Sequence, residues 1–266
     1  MPTHIDEAEL GAYFAACWEL FWDVSSDKDE VRGHCPIAYF GDVNAYSNSD
    51  IRVITVGLNP SHREFGDKRG ERFPDTVVSN RTLTRETPWL NSVYGRDLNR
   101  YFDESRNPYK GWFDPAFKSV LSGLGASFYQ SAGDAPSRAI HTDLLSPIAT
   151  DPTWSGLFQQ NPKLYGKLVQ EGVSLWQRLV EILQPDIIIA SMQRSNLHHL
   201  RLNLLGEPEA LSCVSEKKGR TSAKVQTFVL NRGRRGLLLT GGAGRKPMNG
   251  FCPTDRVLIG EAVRAR

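Results

Sequence analysis

Apolar side chains recur at three- and four-residue steps from Glu7 to Asp23, through Leu10, Phe14, Cys17, Trp18, Phe21 and Trp22, which predicts an amphipathic helix. The apolar run Ile51-Arg52-Val53-Ile54-Thr55-Val56 reads as a strand ending at Gly57, and residues 139–145 read as a second strand. A longer helical stripe spans residues 164–183 through Leu168, Val173, Trp176, Leu179, Val180 and Ile182. Pro185 stops it, and the solid apolar run 187–190 follows as a buried strand. Residues 225–230 and 236–240 add two strands, 115–123 a helix, and a last helix begins near Thr254. Strands that alternate with helices predict an α/β class, a three-layer α/β/α arrangement around a mainly parallel sheet of four to five strands.

Between the first strand and residue 110 lies a long polar passage, rich in Arg, Asn and Asp and broken by Pro74, Pro88 and Pro108. A segment of that length in a compact domain either works on a ligand or contains short helices. The basic stretch 216–224 reads as a turn. With 266 residues and 40% hydrophobic content, the chain supports one large core, so a single domain over 1–266 is expected, with an acidic helical extension over about residues 1–50.

Charge is divided unevenly. Residues 1–50 hold 10 Asp/Glu against 2 Lys/Arg, a net of −8, and the remainder holds 20 against 30, a net of +10. A basic body suits a polyanionic partner, and equally a solvated surface with scattered Arg. Cys17, Cys35, Cys213 and Cys252 stand far apart without a Cys-x-x-Cys pair, which suggests buried thiols of a reducing cytosol, with neither a metal site nor a disulfide framework. No basic n-region precedes an apolar core at the N-terminus, and no stretch of about 18 apolar residues occurs, so a soluble cytoplasmic protein without membrane contact is expected.

The candidate chemistry begins at Gly57-Leu58-Asn59-Pro60-Ser61-His62. A strand that ends in Gly and then offers an amide before Pro puts that amide at the carboxyl edge of the sheet, where open α/β folds bind ligands. The same residues also make an ordinary turn. Late in the chain, Thr240-Gly241-Gly242-Ala243-Gly244-Arg245-Lys246-Pro247 follows the last strand. Its Lys is followed by Pro instead of Ser or Thr, which excludes a nucleotide P-loop. Backbone N–H groups in such a turn can grip a phosphate, or the turn can simply join strand to helix.

In their order these pieces resemble the uracil-DNA glycosylase superfamily. The hexapeptide is similar to that family's first motif, Gly-Gln-Asp-Pro-Tyr-His, with Asn in place of Asp as in its mismatch-specific and single-strand-selective branches. Phe73 lies 14 residues beyond Asn59, near the spacing of the Phe that stacks on the flipped base. His141-Thr142-Asp143-Leu144-Leu145-Ser146-Pro147 resembles the strand that carries the base-reading Asn. The second motif departs from the usual His-Pro-Ser: anchored on Gly250-Phe251, Gly241 takes the place of the His and Arg245 that of an intercalating Leu.

The resemblance implies a metal-independent, cofactor-free, monomeric DNA glycosylase on a duplex. Asn59 and Asp143 carry its catalysis, and Gly57, Leu58, Ser61, His62, Phe73 and His141 surround the base. Gly241, Gly242, Gly244, Arg245 and Lys246 meet the DNA, with Arg245 filling the hole left by the extruded base. Two substitutions bear on the substrate. Ser61 replaces the Tyr that excludes groups at the pyrimidine C5, and Asp143 replaces the Asn that reads uracil. A carboxylate accepts from the N4 amino group of cytosine, and burial would help it hold a proton for N3. The expected target is therefore a C5-substituted cytosine, such as the glucosylated hydroxymethylcytosine of phage DNA that some bacterial members of the superfamily attack. The alternatives are a repair glycosylase for uracil or a damaged base, and a protein that binds nucleic acid without cutting it.

Overall fold

The computed structural model describes residues 5–26, 30–66, 72–73, 92–130, 135–151, 153–211, 222–242 and 246–266. Its main elements are α1 (Glu7–Val24), β1 (Val53–Gly57), α2 (Val93–Asn99), α3 (Ser119–Leu124), β2 (Ala126–Ser127), β3 (Ser137–Asp143), α4 (Pro162–Leu183), β4 (Ile187–Ala190), β5 (Asn203–Ala210), β6 (Lys224–Val229), β7 (Arg235–Thr240) and α5 (Pro253–Arg264). The protein is α/β, and its seven strands form one sheet in the order β2-β3-β1-β4-β7-β6-β5. Among the described residues, no helix is long and apolar enough to cross a membrane.

The chain divides into two compact units of three segments each. One comprises Met1–Val43, Gly57–Pro108 and His141–Leu183, and the other Asn44–Val56, Tyr109–Ile140 and Gln184–Arg266. The second unit holds most of the sheet. β4 runs parallel to β1 and β7, with Ile187 opposite both Val53 and Leu237, and β2 runs parallel to β3. β6 then turns antiparallel to β7, and β5 antiparallel to β6 with a register shift between Leu205 and Glu209. Ile187, Ile188 and Ile189 are buried, as a central parallel strand requires. In the same unit α3 and α5 cross at backbone distance. A Cβ on Gly123 would collide with the carbonyl of Val257, and one on Gly260 with the carbonyl of Val120.

The first unit is built on α1 and α4, which pack together. Asp6 caps α1 by accepting from the N–H groups of Ala8 and Glu9 at 2.8 and 3.2 Å. The apolar stripe of α1 buries Leu10, Phe14, Cys17, Trp18 and Phe21, and Phe14 and Trp18 both meet the edge of Tyr94 from α2. Burial pushes the Cys17 thiol up to about 12. Residues 31–40 run antiparallel beside 141–150: Phe40 and His141 exchange backbone hydrogen bonds of 2.8 and 2.9 Å, Ile37 N–H donates to Pro147, and Arg32 N–H donates to Ala149. Helix α4 lies against the outgoing end of β3. Trp176 Nε1 donates to Thr142 Oγ1 at 3.0 Å, and Gly172 sits so close to Leu145 that a Cβ would meet its carbonyl.

Seven strands exceed the expected four to five. The two additions are β2, only two residues long, and β5, whose eight exposed residues include Gly206, Glu207, Pro208 and Glu209 and are held by pairing to β6. The second strand ends at Asp143, two residues earlier than its apolar run, because Leu144 and Leu145 turn their N–H groups toward the carbonyls of Gly57 and Leu58. The expected helix at 115–123 is preceded by helical residues Lys110–Phe113 and passes through a π-helical stretch, Asp114–Lys118, that contains Pro115. The described part of the polar passage contains two 3-10 turns, His62–Phe65 and Glu104–Arg106, and α2; residues 67–71 and 74–91 lie outside the described residues. Of the basic stretch 216–224, residues 216–221 also lie outside them, and Lys224 opens β6. Cys17 and Cys35 are buried as expected, but Cys252 is exposed and caps α5; Cys213 lies outside the described residues.

Candidate active site

In the first unit the last residue of β1 faces the last residue of β3. A Cβ placed on Gly57 would overlap Asp143 Oδ1 and lie 2.9 Å from His141 Nε2, so glycine is required here by the approach of two side chains. Leu144 N–H donates to Gly57 O at 3.0 Å and Leu145 N–H to Leu58 O at 2.8 Å, which ties the segment after Asp143 to the one leading to Asn59.

The Asp143 side chain is only 4% exposed. His141 faces it, with Nε2 3.7 Å from Oδ1, beyond hydrogen-bond length. No other described residue pairs with that carboxylate. A nearly enclosed carboxylate whose acceptor capacity no described residue uses is open to donors from a ligand or from water. His141 itself is buried, its ring 5.5 Å from that of Phe40.

Asn59 is half-buried, and its amide orientation is determined. Nδ2 lies 3.0 Å from both Pro60 O and Thr150 Oγ1. A carbonyl oxygen only accepts, so the atom facing Pro60 is the NH2 group, and Oδ1 points away. Among the described residues nothing donates to that oxygen, which is therefore available to orient a water or a substrate hydrogen. Thr150 is itself held on two sides, bridging to Val31 and to Ser61.

Ser61 caps the turn His62–Phe65, its Oγ accepting from Arg63 N–H at 3.3 Å. His62 Nδ1 lies 3.9 Å from Asp151, which also faces Arg32 Nε at 3.7 Å; all three side chains are more than a third exposed, so these pairs contribute little. Beneath the turn the Glu64 carboxylate is buried, accepting from the Tyr101 hydroxyl at 2.7 Å and facing Arg72 Nη1 at 3.5 Å. Arg72 also donates to the carbonyls of Arg63 and Asn107. Phe73 has no exposed surface. It lies beside Phe65 and Tyr101, with centroids 5.5 and 5.8 Å away, and its carbonyl faces His34 Nε2. A role in base stacking would require this ring to be uncovered first.

The glycine turn belongs to the second unit. Gly241 is packed so that a Cβ would lie 2.9 Å from Met248 Sδ and 3.2 Å from Phe251. The buried Ser191 hydroxyl donates to Gly242 O at 3.2 Å and accepts from Met248 N–H at 2.7 Å, clipping the start of the turn to its end. Lys246 Nζ donates to Gly111 O at 3.0 Å. Gly244 and Arg245 lie outside the described residues.

Gly57, Leu58, Asn59, Ser61, His62, His141 and Asp143 thus belong to one unit. Thr150, Asp151, Glu64, Arg72 and Ser191 were not anticipated. Thr150 is 91 residues from the amide that it holds, and neither flanking composition nor periodicity signals that contact. Comparison of the chain with family models, with curated proteins and with solved structures finds no match.

Proposed function

We propose that the protein is a DNA glycosylase that hydrolyses the N-glycosidic bond of a flipped, C5-substituted cytosine on a three-layer uracil-glycosylase-like fold. The observation that carries this reading is the interior Asp143 carboxylate at the end of β3, facing Gly57, with no hydrogen bond from a described residue. Such a group is an acceptor awaiting a donor, and the exocyclic amine of cytosine is one. The free Oδ1 of Asn59, two residues beyond Gly57, supplies the second requirement, an oxygen that orients the attacking water.

Breaking the C1′–N1 bond leaves an oxocarbenium-like sugar and puts negative charge on the pyrimidine; water bonds to C1′, and the proton it loses neutralises the departed base. An amide is not a base of useful strength, so Asn59 acts by positioning the water, and slow turnover is expected. The Asp143 carboxylate selects the amino-bearing edge, and the small Ser61 leaves space beside C5. Thr150 acts through Asn59 and is a positioning residue.

The test is mass spectrometry of free bases after incubation of wild type or Asn59→Ala with DNA containing uracil, cytosine, 5-hydroxymethylcytosine or its glucosylated form. Release of a substituted cytosine by wild type alone supports the reading. Release of uracil instead assigns the protein to repair, and no release from any DNA leaves binding without catalysis.

A further inference from the structure

The second unit contains a groove of about 910 Å³ over the face of β5, β6 and β7, closed on one side by residues 192–202. Four basic or imidazole side chains line it, Arg194, His198, Arg201 and Lys224, over an apolar floor that includes Leu204 and Leu238. Among the described residues its lining contains no Asp or Glu. Of the acids on β5, Glu209 is taken up by a bidentate pair with Arg266 at 2.6 and 2.8 Å. Arg194 and Lys224 are exposed, and neither side chain has an ion pair or hydrogen bond with a described residue. His199, beside this group, is held below the ordinary histidine range by burial and by its neighbours His198 and Arg201.

We propose that this groove binds the backbone of one strand of DNA, with phosphates on Arg194 and Lys224 and sugars over Leu204 and Leu238. The inference rests on the reading of the protein as one that acts on DNA, and it adds a contact surface to which neither Asn59 nor Asp143 belongs. Charge complementarity chooses the occupant: a rim whose described charged side chains are all cationic suits a regularly spaced polyanion. Size agrees, since the volume is at the upper end for a small-ligand pocket and a mononucleotide would leave most of it empty. Binding of this kind is independent of base identity.

The experiment is fluorescence anisotropy of a labelled, unmodified 20-nucleotide single strand with wild type, Arg194→Ala/Lys224→Ala, and the charge-matched control Lys163→Ala/Arg178→Ala on α4. Two lost phosphate contacts make the salt slope shallower by about 1.4 and weaken binding about tenfold near 0.15 M salt. The control binds as wild type. Equal binding by Arg194→Ala/Lys224→Ala and wild type overturns the proposal, as does an equal loss in the control. So does a poly-glutamate peptide that displaces the strand and loses its own affinity in Arg194→Ala/Lys224→Ala, which would make this a site for acidic peptides. Binding through the groove with no base released from any DNA overturns the glycosylase reading alone; base release with binding indifferent to Arg194 and Lys224 overturns the groove alone.

Discussion

Asp143 Oδ1 occupies the space in which a side chain on Gly57 would begin. The two residues are 86 positions apart in sequence and end neighbouring strands of the sheet. Gly57→Ala therefore displaces the carboxylate and His141 together, at a cost of about 1–3 kcal/mol, as overpacking does. Urea unfolding of Gly57→Ala, Asp143→Ala and the double variant checks this: the double variant recovers part of the loss, with a coupling of about 0.5–3 kcal/mol.

Asp143→Asn keeps the shape and removes an interior charge that no described hydrogen bond satisfies. Its unfolding midpoint rises, by an amount corresponding to about 1–3 kcal/mol, while base release falls. A stability gain joined to a loss of activity marks a group kept for its ligand. A decreased midpoint would mean that the carboxylate serves the fold.

Thr150→Val removes the hydroxyl that holds the Asn59 amide. The stability cost is about 1 kcal/mol, and turnover falls further than substrate affinity, because the water-orienting oxygen is no longer aimed. Thr150→Ser restores both. Single-turnover rates across a substrate titration separate the two effects.

Arg72→Met leaves the Glu64 carboxylate in the interior without that cation, at a cost of about 3–5 kcal/mol. Glu64→Leu/Arg72→Met, which removes both charges, costs less than the single change. Guanidinium unfolding of the two variants measures the difference.

The Cys17 thiol is raised by burial from 9.0 to about 12. A group whose folded value is raised contributes stability that is complete below pH 9 and lost as pH rises toward 12. Stability therefore falls with pH from about pH 9, and Cys17→Ala has a shallower decline. Urea midpoints at pH 8, 9 and 10 test it. Tyr13, Tyr39, Tyr46, Tyr94 and Tyr129, also raised by burial, contribute to the decline that remains.

Where side-chain periodicity alone decides structure, the sequence was readable. The stripe of α1 and that of α4 fall within two residues of their expected limits, and β1, β3, β4, β6 and β7 all coincide with apolar runs. β5 was not readable, because Asn203–Ala210 forms only by pairing with β6 and buries no residue of its own. The position of Gly57 was legible as a strand end, but its reason was not: a turn explains the glycine from sequence, whereas the approach of Asp143 from β3 explains it in space. Thr150 was silent for the same cause, since hydrogen bonds between distant segments leave no local trace.

The interleaving of the two units sets an order in time. Strands β1 and β3 begin in one unit and end in the other, at Gly57 and at His141–Asp143. As the chain leaves the ribosome, no unit is complete when its first half has emerged: the one that bears Asn59 awaits α4, and the one that bears most of the sheet awaits β7 and α5. Domains ordinarily fold as units, N-terminal first, during synthesis at about 5–20 residues per second. Here the nascent chain must carry the exposed apolar faces of α1 and β1 through most of translation, so the need for chaperones falls during synthesis, and a ribosome stalled before residue 183 displays a chain in which neither unit can close.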